Sequence, residues 1–161
     1  MIKLFRFAGF VFSICFLIAM SPLLGESSEE YNKKFVTFLD VSGPKIKVTS
    51  IDELLRLLEP LLVDLNRKRS LESGVNRLKI EESILCYESD KWFFEELKSV
   101  LPDFTNKEKL KHLYDIACSS PRYHYVMVKL IADYPEVKAM VKVFSEARAA
   151  EMAPKRIRLT E

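Results

Sequence analysis

Beyond position 25 the residues able to do chemistry are few: His112, His124, Cys86, Cys118 and scattered carboxylates. His112 and Asp115 stand i, i+3, and Glu108 lies four residues before His112, so one helical face would carry all three. A zinc site needs three or four converging donors, and His124 falls past the next turn signal. The pattern therefore reads as a solvated charged face, and no metal ligand is assigned. Cys118 and His124 have the residue types of a thiol nucleophile and its base. A disulfide at Cys118 would remove that role.

Cys86 and Cys118 would pair in an oxidising compartment. The bridge would close a loop of about 33 residues and stabilise by roughly 3–4 kcal/mol. The alternative is two buried thiols. There is no G-x-S-x-G, no H-E-x-x-H and no glycine-rich phosphate loop, and with 4 glycines the chain has little from which to build one. No catalytic residue and no cofactor are assigned, and the expectation is a protein that is not an enzyme.

The compartment follows from the N-terminus. Lys3 and Arg6 precede Phe7–Met20, a run without charge, and Ser21-Pro22 and Gly25 come before the acidic Glu26–Glu30. This is the layout of a secretory signal peptide over 1–25. The alternative is an uncleaved anchor, since a span takes roughly 20 apolar residues. Cys15 follows Ile14 in mid-run and does not fit a lipoprotein site.

Lys3 and Arg6 are the only charges in 1–25, so 23 of the 25 basic side chains remain against 23 acidic ones. The remainder is neutral, which argues against nucleic acid as a partner. It also lacks Asn-x-Ser/Thr, since Asn32, Asn66, Asn76 and Asn106 have no hydroxyl two residues on. Its length allows one domain with a core, and Gly43 and Gly74 are too few glycines for many tight β turns.

The elements that would position these residues are helical. Tyr31, Phe35, Phe38 and Leu39 predict a short helix within 29–40, followed by a linker with Gly43-Pro44. Ser50 to Glu53 reads as a capping box, opening a leucine-rich helix that Pro60 should kink or split near Glu59. Arg67-Lys68-Arg69 reads as its solvated end rather than a processing site, Asn66 standing where that pattern wants arginine.

A helix over 71–87 should bury Val75, Leu78, Ile84 and Leu85. Asp90 should cap the next, from Trp92 to Pro102. Thr105 to Glu108 is a second capping box, Pro121 opens a helix ending at Asp133, and Pro135 opens the last. That last helix should turn Val137, Met140, Val141, Phe144 and Ala147 inward. The fold class is all-α, a bundle or orthogonal array of about six to seven helices. Its parts are the signal 1–25, a short helix and linker 26–49, the helical domain 50–153 and a basic tail 154–161.

Leu101-Pro102 before Lys107-Glu108-Lys109-Leu110, then Ser120-Pro121, then Tyr134-Pro135-Glu136-Val137 follow in order. On these features the stretch Phe94–Phe144, about a third of the chain, resembles the insect allergen-related repeat family. The resemblance implies secreted multi-helix units around an apolar, lipid-binding cavity. The cysteine pair is not part of it.

The expected function is that of a secreted, non-enzymatic helical binding protein whose partner is another protein or an apolar small ligand. The residues to line a ligand site, or equally a plain core, are Leu55, Leu58, Leu62, Trp92, Phe93, Leu97, Leu113 and Val126. The alternative is a helical domain tethered to a membrane by an uncleaved N-terminal helix, and a small enzyme without a recognisable motif comes third.

Overall fold

A computed structural model describes residues 25–101 and 103–152. Residues 1–24 of the expected signal peptide, Pro102, and residues 153–161 with the expected basic tail lie outside these residues. The described chain is all-α: α1 Glu26–Phe38, α2 Val48–Leu71, α3 Gly74–Val100, α4 Lys107–Ser119, α5 Pro121–Asp133 and α6 Pro135–Met152.

Helices α2 and α3 form a long hairpin joined by Glu72 and Ser73 alone, and an Asp52–Lys98 ion pair marks its antiparallel register. Helix α1 packs on α2, α4 packs on α3, and α5 and α6 complete the bundle against α4. One hydrophobic cluster runs from Tyr31 in α1 to Val141 in α6.

Local chemistry explains most boundaries. Pro121 sits at the first position of α5, where its missing N–H costs no helical bond. Pro135 opens α6 in the same way. Asn106, within the expected second box, caps α4 by accepting from the Lys109 amide at 3.0 Å. The first box is displaced. Helix α2 begins at Val48, and Ser50 lies inside it, its hydroxyl accepting from Lys47 N at 2.9 Å and donating to Lys47 O at 2.7 Å.

Pro60 does not split α2, which is continuous over 24 residues. The ring lies on the exposed face, while Leu54, Leu58, Leu61 and Leu65 are buried on the other. Burial of those leucines on both sides of the proline holds the helix together despite one missing bond.

The two helices expected over 71–87 and 92–102 are one helix of 27 residues. Asp90 caps nothing; it is fully buried in the middle of α3. Val75, Leu78 and Leu85, expected inward, are exposed, as is Ala147 in α6. The Lys109–Glu96 ion pair and the Trp92–His112 ring contact set the register of α4 along α3. Carried on at the same rise, Ser119 comes level with about Leu85. The opening turns of α3 therefore run past α4, and Gly74 to Lys79 are all exposed.

Pro60→Ala is expected to restore one N–H bond and raise stability by roughly 1–3 kcal/mol, read as a higher thermal midpoint. An unchanged or lower midpoint would show that the proline is matched to its surroundings.

Candidate functional site

The residues nominated as a ligand lining divide sharply. Leu58, Phe93, Leu97, Leu113 and Val126 are buried in the single core cluster, and Leu55 and Leu62 pack against it half-buried. Trp92 lies elsewhere, 42 % exposed with its ring edge-on to His112.

The structure's strongest polar constellation was not foreseen from sequence. The Asp90 carboxylate is fully buried at the meeting of α1, α3 and α5. Tyr31 donates its hydroxyl to Oδ2 at 2.8 Å, and Tyr123 donates to Oδ1 at 3.1 Å. Arg122 donates Nε to Oδ1 at 2.8 Å and Nη2 to Oδ2, a two-pronged ion pair. The guanidinium also lies over the Phe35 ring, 4.2 Å from its centroid, and Tyr123 stacks on Phe93 at 4.2 Å.

Spacing is the signal that could have found it. Tyr87, Asp90, Phe94 and Leu97 fall i, i+3, i+7 and i+10, on the buried stripe of α3. The acid was thus on the core face, where a charge requires partners.

The electrostatics follow from that geometry. Burial works against the Arg122 cation, but the charge and hydrogen bonds of Asp90 more than reverse it, and the guanidinium is held protonated. Burial, then the Asp90 charge, pushes the Tyr31 and Tyr123 hydroxyls well above the usual phenol range. Both oxygens of Asp90 are engaged, the residue has no exposed surface, and every partner is a donor. The cluster is a clamp among three helices, with no lone pair directed at solvent for acid–base work.

A second clamp holds the connector between α1 and α2. Buried Lys129 donates to Gly43 O at 3.2 Å and Asp133 Oδ1 at 2.9 Å, and Asp133 Oδ2 accepts from Ile46 N at 2.7 Å. The Tyr134 hydroxyl donates to Ile46 O, and Lys45 sits over the Tyr134 ring.

The expected Cys86–Cys118 bridge is corrected: both are free thiols. Cys86 is half-buried on the side of α3 toward Arg122 and Asp90, and burial pushes its thiol up. Cys118 is exposed at the end of α4, four residues after Tyr114, whose hydroxyl it meets. Tyr114 faces Phe144 of α6, so the two thiols serve different interfaces.

The charged face of α4 is committed to ion pairs, with Asp115 taking Lys111 at 3.0 Å and Arg148 of α6 at 3.3 Å. Among the described residues no three His, Cys, Asp or Glu side chains are placed to hold a metal.

Several large apolar side chains are exposed, Val41, Val63, Val143 and Met152 singly and a further group at the outer side of the hairpin. Leu71 is 78 % exposed, Val75 67 %, Leu78 60 % and Leu85 64 %. With Trp92 they follow one face of α3 and the last residue of α2. Val75, Leu78, Leu85 and Trp92 fall within an arc of about 100° on α3, because steps of three, seven and seven residues drift by about 60°, 20° and 20°.

Two outcomes test the Asp90 clamp. Asp90→Asn leaves the buried Arg122 cation without its counter-charge and is expected to destabilise by about 3–5 kcal/mol in urea unfolding, while Asp90→Leu combined with Arg122→Met, Tyr31→Phe and Tyr123→Phe, which removes the charges and the hydroxyl donors together, should recover most of that. The second is alkaline sensitivity. The folded tyrosines hold protons at pH values where the unfolded chain has lost them, so stability is retained below the ordinary phenol pKa and falls as pH rises beyond it. A stability–pH series above about pH 10 should show this decline, with a shallower slope for Tyr123→Phe.

No family model, curated protein or solved structure matches this chain.

Proposed function

We propose that the chain is a secreted, non-enzymatic helical binding protein that meets its partner through the outer face of the α2–α3 hairpin. One observation carries this reading. The apolar side chains best suited to line an interior ligand site are packed into the common core, whereas Leu71 at the end of α2 and Val75, Leu78 and Leu85 of α3 are left in solvent. Exposed apolar side chains gathered on one face mark interaction surfaces more often than singly scattered ones do. The signal-like N-terminus supports export, and the saturated Asp90 and committed Asp115 offer no poised acid or base.

Protein recovered from the medium of a secreting host is expected to lack residues 1–25 by intact mass. Native mass spectrometry should then show it free of lipid. Full-length chain confined to membranes would overturn secretion. A lipid bound in one-to-one ratio would overturn the surface reading and favour the apolar carrier that the family resemblance implies.

A further inference from the structure

Helix α3 carries a seven-residue repeat that its own packing uses on one side only. Leu78, Leu85 and Trp92 follow one another in steps of seven, and each is exposed. Two residues after each stands Ile80, Tyr87 or Phe94, all buried in the core. Three residues after each stands Glu81, Glu88 or Glu95, and four after each stands Glu82, Ser89 or Glu96. On a helix, steps of three and four fall about 60° to one side and about 40° to the other. The outward side is therefore an apolar row bracketed by carboxylates.

The charges around the row leave it acidic. Glu81 is engaged by Arg77, and Glu96 by Lys109 of α4. Glu82, Glu88 and Glu95 are exposed and have no ion pair among the described residues. Lys79 and Lys91 stand farther off, about 100° from the row and on opposite flanks. On α4, Lys111 is tied to Asp115. On α2, Arg67 is tied to Asp64, and exposed Arg56 is offset by exposed Glu59. At the free end of the hairpin Gly25 lies against the Lys68 ammonium, which brings exposed Glu26, Glu29 and Glu30 to the cations there.

From this repeat we infer that the outer row of α3 docks a basic amphipathic helix of a partner protein. Its apolar residues would lie against Leu78, Leu85 and Trp92, and its lysines or arginines against Glu82, Glu88 and Glu95. This rests on the reading of the hairpin's outer face as the recognition surface and names its partner. Seven residues is the period that a second helix follows, since the row drifts by only about 20° per repeat and a left-handed supercoil absorbs the drift. Charged residues bracketing an apolar seam set partner choice in such pairs. One outward apolar residue per repeat makes a narrow seam, so the ionic rows carry the specificity and affinity falls with added salt. A second copy of the chain would bring the same carboxylate rows together, and like charges so placed repel.

The test follows the fluorescence of Trp92, the one tryptophan in the chain, in lipid-free protein recovered from the secreting host. The probe is a three-heptad synthetic helix with leucine along one face and lysines flanking it, beside a twin whose lysines are glutamates. The lysine helix should shift Trp92 emission to shorter wavelength and bind at least about tenfold more tightly than its twin, with the difference shrinking as salt is added. Glu82→Lys with Glu88→Lys and Glu95→Lys, all at exposed positions, should reverse the preference in favour of the glutamate helix. Leu78→Ser with Leu85→Ser, which removes exposed apolar surface only, should weaken the lysine helix at least about tenfold. If the charge-reversed variant loses its far-UV circular dichroism, the serine pair decides alone. A lysine helix that binds either variant as well as it binds wild type overturns the proposal, because the contact then lies elsewhere. Binding of neither helix, or a Trp92 shift that follows protein concentration alone and so reports a second copy, overturns the basic partner while leaving the hairpin's outer face as the recognition surface.

Discussion

A buried carboxylate is the constraint on which the arrangement of helices turns. Asp90 has no access to solvent, so its charge must be met within the protein. Tyr31 comes from α1, while Arg122 and Tyr123 come from the first turn of α5. Neither α1 nor α5 is joined to α3 by a short connection, and the carboxylate fixes their relative rotation. Turning α5 by one residue would swing Arg122 through roughly 100° and strand a charge in the core. Apolar packing alone tolerates such shifts more readily, because it is not directional. The ion pair need not add net stability to select one geometry. Its effect is that rival packings become costly.

The second clamp extends the same logic to the connector. Residues 39–47 have no helix of their own, and their backbone groups need partners. Asp133 accepts the Ile46 amide, Lys129 meets the Gly43 carbonyl, and Tyr134 meets the Ile46 carbonyl. Lys129 and Asp133 stand i, i+4 on α5 and neutralise each other beneath the loop. Helix α5 thus carries both anchors, Arg122 at its start and Asp133 at its end. It organises segments far from it in sequence while contributing only 13 residues.

Those anchors also show what sequence could and could not reveal. Punctuation was legible: Pro121 and Pro135 open helices for local reasons that need no tertiary context, and the cap expected from the Thr105–Glu108 box falls one residue on, at Asn106. So was most of the core, since Leu54, Leu58, Phe93, Leu97, Leu113 and Val126 are buried as their spacing implies. What failed were residues whose local preference lost to packing. Asp90 has the type of a cap, and its partners lie 32 to 59 residues away, which periodicity cannot see. Pro60 has the type of a breaker, yet the leucines either side keep α2 whole. The cysteines failed for a different reason. Each lies on a face already engaged, Cys86 toward Arg122 and Cys118 toward Tyr114, and pairing depends on side-chain direction rather than on place along a helix.

The exposed face of α3 was missed because amphipathic pattern reports burial only where a neighbour exists. Val75, Leu78 and Leu85 stand about 100° or more around α3 from the buried Ile84 and Tyr87, and α4 reaches only to about the level of Leu85. Beyond that point α3 has α2 on one side and solvent on the other. A lone helix of two or three turns is marginal in water, and this one is kept by its hairpin partner, with Ile80 and Ile84 buried and the Arg77–Glu81 pair along its surface. The internal face is enough to hold the fold, so the outer apolar side chains are not required for it. Leu71, Val75 and Leu78 thus carry a hydration cost without contributing to the packed interior, and that cost is recovered only where something else covers them. The molecule accordingly divides into an end locked by buried charge and an end whose outer apolar side chains are left in solvent.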